Sequence, residues 1–324
     1  FTPKKYQPIK LYNDEGIVLY DLNSIKTNFT NIFYVFNNRH WMWPPVKLGH
    51  TIYPKYVFEN EVNNDGLNPI GNNIDDKAPS QQRIISMKTL SLSPKVFVIE
   101  NFLTEDEIEY LINHAKNHLA PSHIGIGKEK VDQSTRTSKT AWDTHSKISI
   151  AIQRRGFALA RIPFKKNIRM TDAIQIVKYG PHNMFQLHTD YFKTGYPNFD
   201  SAKSDGTNRY ITIFMYLNDG FLGGKTIFPH STSHLSGERF ENDQNLVGED
   251  NSKFEETEKK MPSCLDMKAL AVKPKRGSAI FFYNQLYDGT LDAASEHGGC
   301  PIIDGEKFGA NIWIWNADRP RFKK

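Results

Sequence analysis

The sequence predicts an α+β protein that is mostly β, with a jelly-roll barrel as its core. Two patterns with helical periodicity come first, and from residue 168 onward they give way to short apolar segments bounded by glycine, proline and polar residues. Two helices followed by many short strands indicate an antiparallel β core with helical support. A jelly roll is the natural candidate for such a core.

An N-terminal extension, residues 1–83, is predicted to precede the main domain, residues 84–324. The extension holds short apolar segments at 17–20 and 32–36, an aromatic and proline cluster with the sequence WMWPP, and a stretch at 63–82 that is rich in Asn, Asp, Gly and Pro. This last stretch lacks periodicity and is typical of a linker or a long loop. A new pattern begins directly after it, where we place the start of the main domain.

Two amphipathic helices are predicted in the first part of the main domain. The first follows an apolar strand at 96–99 and opens with Thr104-Glu105-Asp106-Glu107, which has the form of a capping box. Its apolar residues recur at helical spacing and predict a stripe that packs against other elements: Ile108, Leu111, Ile112, Ala115 and Leu119. The second helix is predicted at about residues 146–159.

Short strands are predicted after the helices, at 173–179, 209–217, 269–272, 279–283 and 310–315. They are apolar and rich in β-branched and aromatic residues, as strands of a β core are. Residues 230–263 interrupt them with a polar, acidic segment, which we expect to be a solvent-exposed insertion.

The composition is that of a folded globular protein. The 324 residues are 39% hydrophobic and 12% aromatic, so a substantial core can be buried. The net charge of +5 is modest, and Lys and Arg are scattered without a dense block, so we expect no nucleic-acid binding. No apolar run approaches the roughly 18 residues needed to span a bilayer. The chain begins with Phe1 rather than Met, so a signal peptide or anchor could have been removed.

Two features permit a location in the endoplasmic reticulum lumen or elsewhere in the secretory pathway. Cys264 and Cys300 are the two cysteines of the chain, and they could either pair in an oxidising compartment or remain buried thiols. Asn28-Phe29-Thr30 is a sequon for N-glycosylation, although so short a pattern often occurs by chance. The sequence leaves the disulfide and the glycosylation open.

Three other motifs give little support to alternative chemistries. Gly223-Gly224-Lys225-Thr226 is similar to the end of a phosphate-binding loop, but Asp219 stands where that loop needs a glycine. His114 and His118 have a zinc-binding spacing on the first helix, yet no third ligand stands nearby. No Gly-x-Ser-x-Gly elbow is present to support nucleophilic catalysis by a serine.

His188 and Asp190 are predicted to share one face of an extended segment. The preceding run, 174–179, reads as a strand that ends at Gly180-Pro181, and we expect extended structure to resume after this turn. Side chains at positions i and i+2 of a strand share a face, so an imidazole and a carboxylate could bind one Fe(II), Zn(II) or Mn(II) ion. Alone, this pair is a weak signal.

His297 would complete a set of two histidines and one carboxylate, the facial triad of non-haem Fe(II) oxygenases. Three protein ligands on one octahedral face leave three positions open, two for a chelating 2-oxo acid and one for dioxygen. Lys307, ten positions after His297, would then supply the cation that a dicarboxylate cosubstrate needs inside an apolar barrel. The alternative for Lys307 is an ordinary surface lysine.

Four segments between Leu90 and Asn316 carry a family resemblance. They are RTSKTAW at 136–142, IQIVKYGPHNMFQLHTDYF at 174–192, RYITIFMYLND followed by GGKTIFP ending at Pro229, and HGGCPIIDGEKFGANIW at 297–313. In this order and at this spacing they resemble prolyl 4-hydroxylases of the collagen and plant type, which are Fe(II)- and 2-oxoglutarate-dependent dioxygenases. Four ordered segments are far more specific than any single motif.

The resemblance implies a double-stranded β-helix, cupin-like core and a role for several residues. It implies iron ligation by His188, Asp190 and His297, and binding of the C5 carboxylate of 2-oxoglutarate by Lys307. Tyr179 and Thr226 match positions that contact this cosubstrate. A further set matches positions that line a peptide groove: Arg136, Ser138, Trp142, Arg209 and Trp313. Arg can hold peptide carbonyls and aromatic faces suit a proline ring, while core packing is the alternative for both Trp residues.

The implied activity is that of a procollagen-proline 4-dioxygenase-like enzyme, which hydroxylates peptidyl proline. Its cofactors would be Fe(II), 2-oxoglutarate, O2 and ascorbate (vitamin C), and its partner a proline-containing peptide or protein. Two alternatives stay open: a related oxygenase that acts on another residue or a small molecule, and a non-catalytic jelly roll that binds peptides. Retention of all three ligands and Lys307 favours an enzyme. Phe185 departs from the family pattern, because relatives often have tyrosine there.

Overall fold

Antiparallel strands form most of the regular structure in the computed structural model of the chain. The structure describes residues 9–19, 32–36, 39–54, 84–122, 137–164, 169–193, 207–235, 261–264, 266 and 268–319. The N-terminal strands are β1 (Ile9–Asn13), β2 (Val18–Leu19), β3 (Ile32–Phe36) and β4 (Thr51–Ile52). The helices are α1 (Glu105–His118) and α2 (Lys147–Ala160). The other strands are β5 (Ser86–Ser93), β6 (Val96–Glu100), β7 (Ala120–Pro121), β8 (Lys139–Asp143), β9 (Ile174–Tyr179), β10 (Phe185–His188), β11 (Arg209–Tyr216), β12 (Leu222–Gly223), β13 (Thr226–Phe228), β14 (Ser233–His234), β15 (Leu270–Val272), β16 (Ala279–Tyr283), β17 (His297–Gly299), β18 (Ile302–Asp304) and β19 (Lys307–Trp315).

Two antiparallel sheets form the jelly roll that the sequence predicts. The larger sheet has the strand order β14-β5-β6-β16-β11-β19-β9-β8-β7, with β4 beside β5. The smaller sheet has the order β10-β17-β13-β15. Outside these sheets, β12 pairs with β18, and β1 lies between β2 and β3. The predicted α+β class, mostly β with a jelly-roll core, is confirmed.

The larger sheet is buried on both faces. Its inner face packs on the smaller sheet through apolar residues of both sheets: Leu90, Val96, Val98, Tyr216, Phe228, Leu270, Val272, Ile280 and Phe282. Its outer face packs on the helices, and the buried residues there include Ile108, Leu111, Ala115, Ile152, Phe157, Ile174, Ile211, Ile213 and Ile312. Successive strand residues point to opposite faces. Strand β11 therefore turns Ile211 and Ile213 toward the helices and Thr212 and Phe214 toward the interior of the jelly roll.

The capping box predicted at the start of α1 is present. The Thr104 hydroxyl accepts a hydrogen bond from the Glu107 N–H at 3.2 Å, and Glu107 Oε2 accepts one from the Thr104 N–H at 2.8 Å. Arg155 of α2 donates to both carboxylate oxygens of Glu107, at 2.7 and 2.9 Å, and so ties the two helices together. The second predicted helix is also confirmed, because Ser146 caps α2 by accepting a hydrogen bond from the Ser149 N–H.

The predicted strands are present, with one correction at the start of the last strand. The predicted segment 310–315 is too short, because β19 begins at Lys307 and ends at Trp315. Gly309 weakens the strand pattern in the sequence. Glycine is nevertheless required at this position, because a Cβ would lie 2.5 Å from the Phe214 ring. The other four predicted segments correspond to β9, β11, β15 and β16.

The WMWPP segment of the N-terminal extension is buried against the main domain. The indole Nε1–H of Trp43 donates to the Leu159 carbonyl at 2.7 Å, and its backbone N–H donates to the Tyr283 hydroxyl at 2.9 Å. The Tyr210 hydroxyl donates to the Trp41 carbonyl at 3.1 Å. Tyr210 and Tyr283 belong to β11 and β16, so this segment contacts two neighbouring strands of the larger sheet. The domain boundary at residue 84 stays a prediction.

Trp43→Ala is expected to lower the free energy of unfolding by about 3–5 kcal/mol, the usual cost of deleting a buried tryptophan side chain. The Trp43 ring is buried, and its removal also leaves the Leu159 carbonyl without its indole donor. Urea denaturation followed by circular dichroism measures this loss. Trp142→Ala is the matched control, because Trp142 is 47% exposed and its loss should cost about 1 kcal/mol or less. Equal losses in the two variants would contradict the packing described here.

Cys264 and Cys300 form a disulfide, with their Cα atoms 5.9 Å apart. It joins the residue that follows the predicted insertion to the residue that follows β17. The described ends of the predicted insertion are only partly solvent-exposed, because β14 pairs with β5 and Met261 is buried. Asn28 and residues 236–260 lie outside the described residues, so glycosylation at Asn28 and exposure of residues 236–260 stay predictions. In the described part of the chain, neither helix combines the length and the apolar character needed to cross a membrane.

Candidate metal and cosubstrate site

Three side chains from two segments far apart in the sequence converge inside the jelly roll. Strand β10 pairs with β17, and the register places His188 opposite His297. Asp190 follows just after β10: its Oδ1 lies 3.7 Å from His188 Nε2 and its Oδ2 lies 3.6 Å from His297 Nε2. Among the residues that the structure describes, these three form the one group of potential metal ligands whose donor atoms all lie within 4.8 Å of one another.

Both imidazole rings are oriented by backbone carbonyls. His188 Nδ1 lies 2.8 Å from the Gln186 carbonyl oxygen, and His297 Nδ1 lies 2.9 Å from the Ser295 carbonyl oxygen. A carbonyl oxygen can only accept, so each Nδ1 carries a proton, and Nε2 is the ring nitrogen that lies on the side of Asp190. Histidines that ligate metals usually donate their other ring N–H in this way.

Asp190 is held as a carboxylate. Burial raises the pKa of this carboxyl group, but the imidazoles of His297 and His188 lower it. The Arg209 guanidinium and a 2.7 Å hydrogen bond from the Thr212 hydroxyl lower it further. The lowering effects prevail and bring the pKa to about 2. The side chain is therefore ionised at neutral pH and ready to bind a cation.

The donor set fits a divalent transition-metal ion. The separations of 3.6 and 3.7 Å between the Nε2 atoms and the carboxylate are too long for hydrogen bonds. Two donors that each lie about 2.0–2.2 Å from one ion are about 3–4 Å apart, which matches these values. Two imidazole nitrogens and one carboxylate suit Fe(II) with open coordination positions. His188, Asp190 and His297 could therefore hold Fe(II).

A pocket adjoins these three residues and contains a buried lysine. Its volume is about 550 Å³, which includes the solvent space at its open mouth. Lys307 is 3% exposed, and its Nζ donates to the Gly224 carbonyl at 2.5 Å. The rings of Phe214, Tyr216 and Tyr179 surround this amine at 5.2–5.9 Å. Burial lowers the pKa of Lys307 to about 7. The site is therefore one where an anionic group would restore the charged form of the lysine.

The glycine-rich segment at 223–226 is the turn from β12 to β13, and it shapes the pocket at Lys307. Gly224 has a φ of +69°, and a Cβ on it would lie 2.5 Å from Ile302 Cδ1 and 3.3 Å from Lys307 Cδ. Glycine therefore allows the backbone carbonyl to approach the lysine amine. Thr226 begins β13, and its Oγ1 accepts a hydrogen bond from the Tyr216 hydroxyl at 2.9 Å. A strand follows this turn, whereas a phosphate-binding loop would lead into a helix.

The predicted cosubstrate and groove residues are only partly brought together. Tyr179, Thr226 and Trp313 line the same pocket as the three potential ligands and Lys307. Arg209 and Trp142 contact the Trp313 ring from outside the pocket lining: the Arg209 guanidinium lies 3.8 Å from its centre, and the Trp142 ring lies 6.3 Å from it.

Of the two remaining predicted groove residues, one lies outside the pocket lining and the other lies outside the described residues. Ser138 is buried in β7–β8 contacts outside the pocket lining, and its hydroxyl lies 2.8 Å from Ser122 Oγ. Arg136 lies outside the described residues. The histidine pair on α1 also builds no metal site in the described part of the chain, because His118 Nδ1 bonds the His114 carbonyl and the two rings stack 4.4 Å apart.

Three residues that sequence reasoning missed support the site. Asp172 Oδ2 lies 3.2 Å from both Nε and Nη2 of Arg209, so it fixes the guanidinium that stacks on Trp313. Thr212 and Asn284 form a second set of contacts behind Asp190. Thr212 and Asn284 are polar residues in otherwise apolar segments, RYITIFMY and AIFFYN. A buried polar side chain needs a hydrogen-bond partner, so this contrast could have indicated a polar contact inside the core. No comparable pattern marks Asp172.

Comparisons with known proteins agree with this geometry. Residues 174–315, which contain all three potential ligands and Lys307, match the family described as the 2OG-Fe(II) oxygenase superfamily. Probable prolyl 4-hydroxylase 3 of Arabidopsis thaliana is 30% identical over 270 residues, which are 80% of this chain and 84% of the relative. Prolyl 4-hydroxylase 2 of the same plant is 32% identical over 232 residues, which are 70% of this chain and 69% of the relative.

Among solved structures, the chain is similar to the viral collagen prolyl hydroxylase from Paramecium Bursaria Chlorella virus-1 in its 2OG complex. It is 22% identical, has a TM-score of 0.42, and covers 68% of this chain and 95% of its own. The curated relatives are the stronger comparison, since they extend over most of both chains. From the donor set, the buried lysine and the similarity to the two plant relatives, the chain belongs to the prolyl 4-hydroxylase family of 2OG-Fe(II) oxygenases.

Proposed function

We propose that this chain hydroxylates proline in a peptide or protein at C4. In this reaction peptidyl proline, 2-oxoglutarate and O2 are converted to 4-hydroxyproline, succinate and CO2. The observation that carries the proposal is the convergence of His188, Asp190 and His297 in one pocket with the buried Lys307. A metal site with open positions beside a buried cation suits a dicarboxylate cosubstrate.

The proposed metal ligands are His188, Asp190 and His297. Their arrangement already suits this role, because both Nε2 atoms face a carboxylate whose pKa is about 2. Bound Fe(II) and 2-oxoglutarate would supply the oxidising chemistry. The protein's own contribution is to fix the three donors and to surround them with apolar rings. Phe185 stacks 3.6 Å from His188, and Phe282 lies 4.7 Å from His297, so water is excluded on these sides.

We propose that Lys307, Thr226 and Tyr179 bind the cosubstrate. The Lys307 amine would leave the Gly224 carbonyl, or share its protons with it, and pair with the C5 carboxylate. A charge pair in so apolar a site is favourable only when both partners are present. Thr226 and Tyr179 line the same pocket and offer hydroxyl groups to the same ligand.

The peptide groove is proposed to run past Trp313, Arg209 and Trp142. Trp142 is 47% exposed, which leaves an aromatic face for a proline ring beside the buried Trp313. Arg209 is fixed by Asp172 and stacked on Trp313, so a substrate would meet a preorganised cation. Ser138 and Arg136 stay proposed substrate contacts on the family resemblance alone.

Two finer proposals concern ascorbate and location. Ascorbate is proposed as the reductant that keeps the iron in its Fe(II) state. A compartment of the secretory pathway, such as the endoplasmic reticulum lumen, is proposed because the Cys264–Cys300 disulfide suits an oxidising environment.

The decisive experiment is mass spectrometry of proline-rich peptides after incubation with the protein, Fe(II), 2-oxoglutarate, ascorbate and O2. We expect a gain of one oxygen atom on proline and one succinate for each modified residue. A peptide with alanine at each proline position is the control and should remain unmodified. Succinate release with an unmodified proline, or with oxygen on another residue, would favour a different substrate. Absence of any succinate would favour a peptide-binding protein without catalysis.

A further inference from the structure

We propose that Thr212 and Asn284 are positioning residues that hold the Asp190 carboxylate in its metal-binding orientation. Neither residue belongs to the proposed ligand set or lines the pocket. They act through hydrogen bonds in series, from Asn284 to Thr212 and from Thr212 to Asp190. This inference rests on the proposed metal site and adds to it the part of the fold that fixes one ligand.

The contacts form a continuous relay across two strands and the carboxylate. Asn284 Nδ2 lies 2.9 Å from Thr212 Oγ1, and Thr212 Oγ1 lies 2.7 Å from Asp190 Oδ2. Asn284 follows β16 and Thr212 lies in β11, which are paired neighbours in the larger sheet. Exposure is 0% for Asn284, 1% for Thr212 and 7% for Asp190. Water therefore does not compete for these bonds, and each of them matters more than it would at the surface.

The donor groups fix the direction of the relay. An amide nitrogen can only donate, so Thr212 accepts from Asn284 and its own hydroxyl proton is left for Asp190. The ionised carboxylate can only accept, which agrees with this direction. With the opposite amide orientation, one hydroxyl proton would face two acceptors. Asn284 thus sets the orientation of the Thr212 hydroxyl, and Thr212 in turn sets that of the carboxylate.

The relay has a consequence for metal binding. The Thr212 hydroxyl occupies a lone pair of Oδ2, so it holds the carboxylate at one oxygen and disfavours chelation of the ion by both oxygens. Binding through one oxygen keeps more coordination positions open for a cosubstrate and O2. Hydrogen-bond partners that orient metal ligands typically contribute about 10- to 100-fold in metal affinity.

The test is the affinity of the metal-free protein for Co(II), a probe followed by its visible absorption without any turnover. We expect Thr212→Val to weaken Co(II) binding by about 10- to 100-fold, and Thr212→Ser, which keeps the hydroxyl, to bind nearly as the wild type does. Asn284→Ala should weaken binding less, because Thr212 can still donate. Adding Asn284→Ala to Thr212→Val should cause little further loss, since Asn284 acts through Thr212.

Thr140→Val is the matched control. Thr140 is also buried in a strand, and its hydroxyl lies 2.6 Å from Ser122 Oγ, so the variant likewise loses one buried hydroxyl bond. It should lose stability in urea denaturation and keep its affinity for Co(II). Full Co(II) affinity in Thr212→Val, or independent losses from Thr212→Val and Asn284→Ala, would overturn the relay while leaving the proposed function intact. Failure of the wild type to bind Co(II) would overturn both.

Discussion

The His188→Ala protein is expected to fold normally and to release no detectable succinate from 2-oxoglutarate. The change removes one of the three proposed metal ligands. Loss of a residue that only hydrogen-bonds a metal ligand already lowers metal affinity or activity by about 10- to 100-fold. Loss of a ligand itself should therefore lower turnover by at least about 100-fold. His188 is partly exposed at 22%, so its removal should cost little stability. Succinate release in the presence of Fe(II) and a proline-rich peptide measures the first effect. Thermal unfolding measures the second.

His145→Ala is the control for this prediction. His145 is exposed between β8 and α2, and its replacement makes the same change in composition without touching the pocket. Its succinate release should equal that of the wild type. Wild-type activity in His188→Ala would show that the iron site is assigned to the wrong residues.

Lys307→Met should raise the KM for 2-oxoglutarate by about 100- to 4,000-fold. Loss of one partner of a buried charge pair costs about 3–5 kcal/mol, and each 1.4 kcal/mol is tenfold in affinity. Methionine keeps most of the volume of the lysine stem, so the packing against Phe214 and Tyr216 should survive. The measurement is succinate or decarboxylation rate against 2-oxoglutarate concentration.

A cosubstrate without the distal carboxylate is the control for Lys307→Met. 2-Oxobutyrate retains the chelating 2-oxo acid and lacks the group that Lys307 is proposed to bind. The wild type and the variant should therefore have similar affinities for it. An equal loss with both compounds would mean that the substitution damaged the site as a whole.

The affinity for 2-oxoglutarate should also depend on pH. Burial lowers the Lys307 pKa to about 7 in the free protein, so this amine loses its proton as the pH rises through 7. The cosubstrate carboxylate needs the charged amine, so binding takes up a proton and its affinity falls above about pH 7. Binding at pH 6, 7, 8 and 9 measures this trend. A flat profile in the wild type would contradict the proposed pairing.

Much of this molecule could be predicted from local patterns in the sequence. The α1 capping box, its apolar stripe and the β-branched segments specify their elements through neighbouring residues, and these predictions are confirmed. The start of β19 was not predicted, because Gly309 lowers strand propensity and the Phe214 ring that leaves no room for a Cβ there belongs to another strand. The disulfide also depends on a distance between remote residues that no local pattern gives.

The candidate site shows the same division between local and remote information. The spacing of His188 and Asp190 places them on one face, but β10 ends at His188, so strand periodicity alone does not position the carboxylate. The hydrogen bond from Thr212 does so, and this contact comes from a different strand. His297 and Lys307 lie more than 100 residues further along the chain, and their assignment depends on the chemistry of the triad and its cosubstrate and on the family resemblance, because no local spacing connects such remote segments. Register between β10 and β17 then brings the two histidines together.

A crystal structure of the protein with Mn(II) and 2-oxoglutarate, grown without O2, tests the central assignment most directly. We expect one Mn(II) ion bound by His188 Nε2, Asp190 and His297 Nε2, with the C5 carboxylate of 2-oxoglutarate paired to the Lys307 amine. An ion bound at other side chains, or a cosubstrate whose distal carboxylate lies away from Lys307, would contradict it.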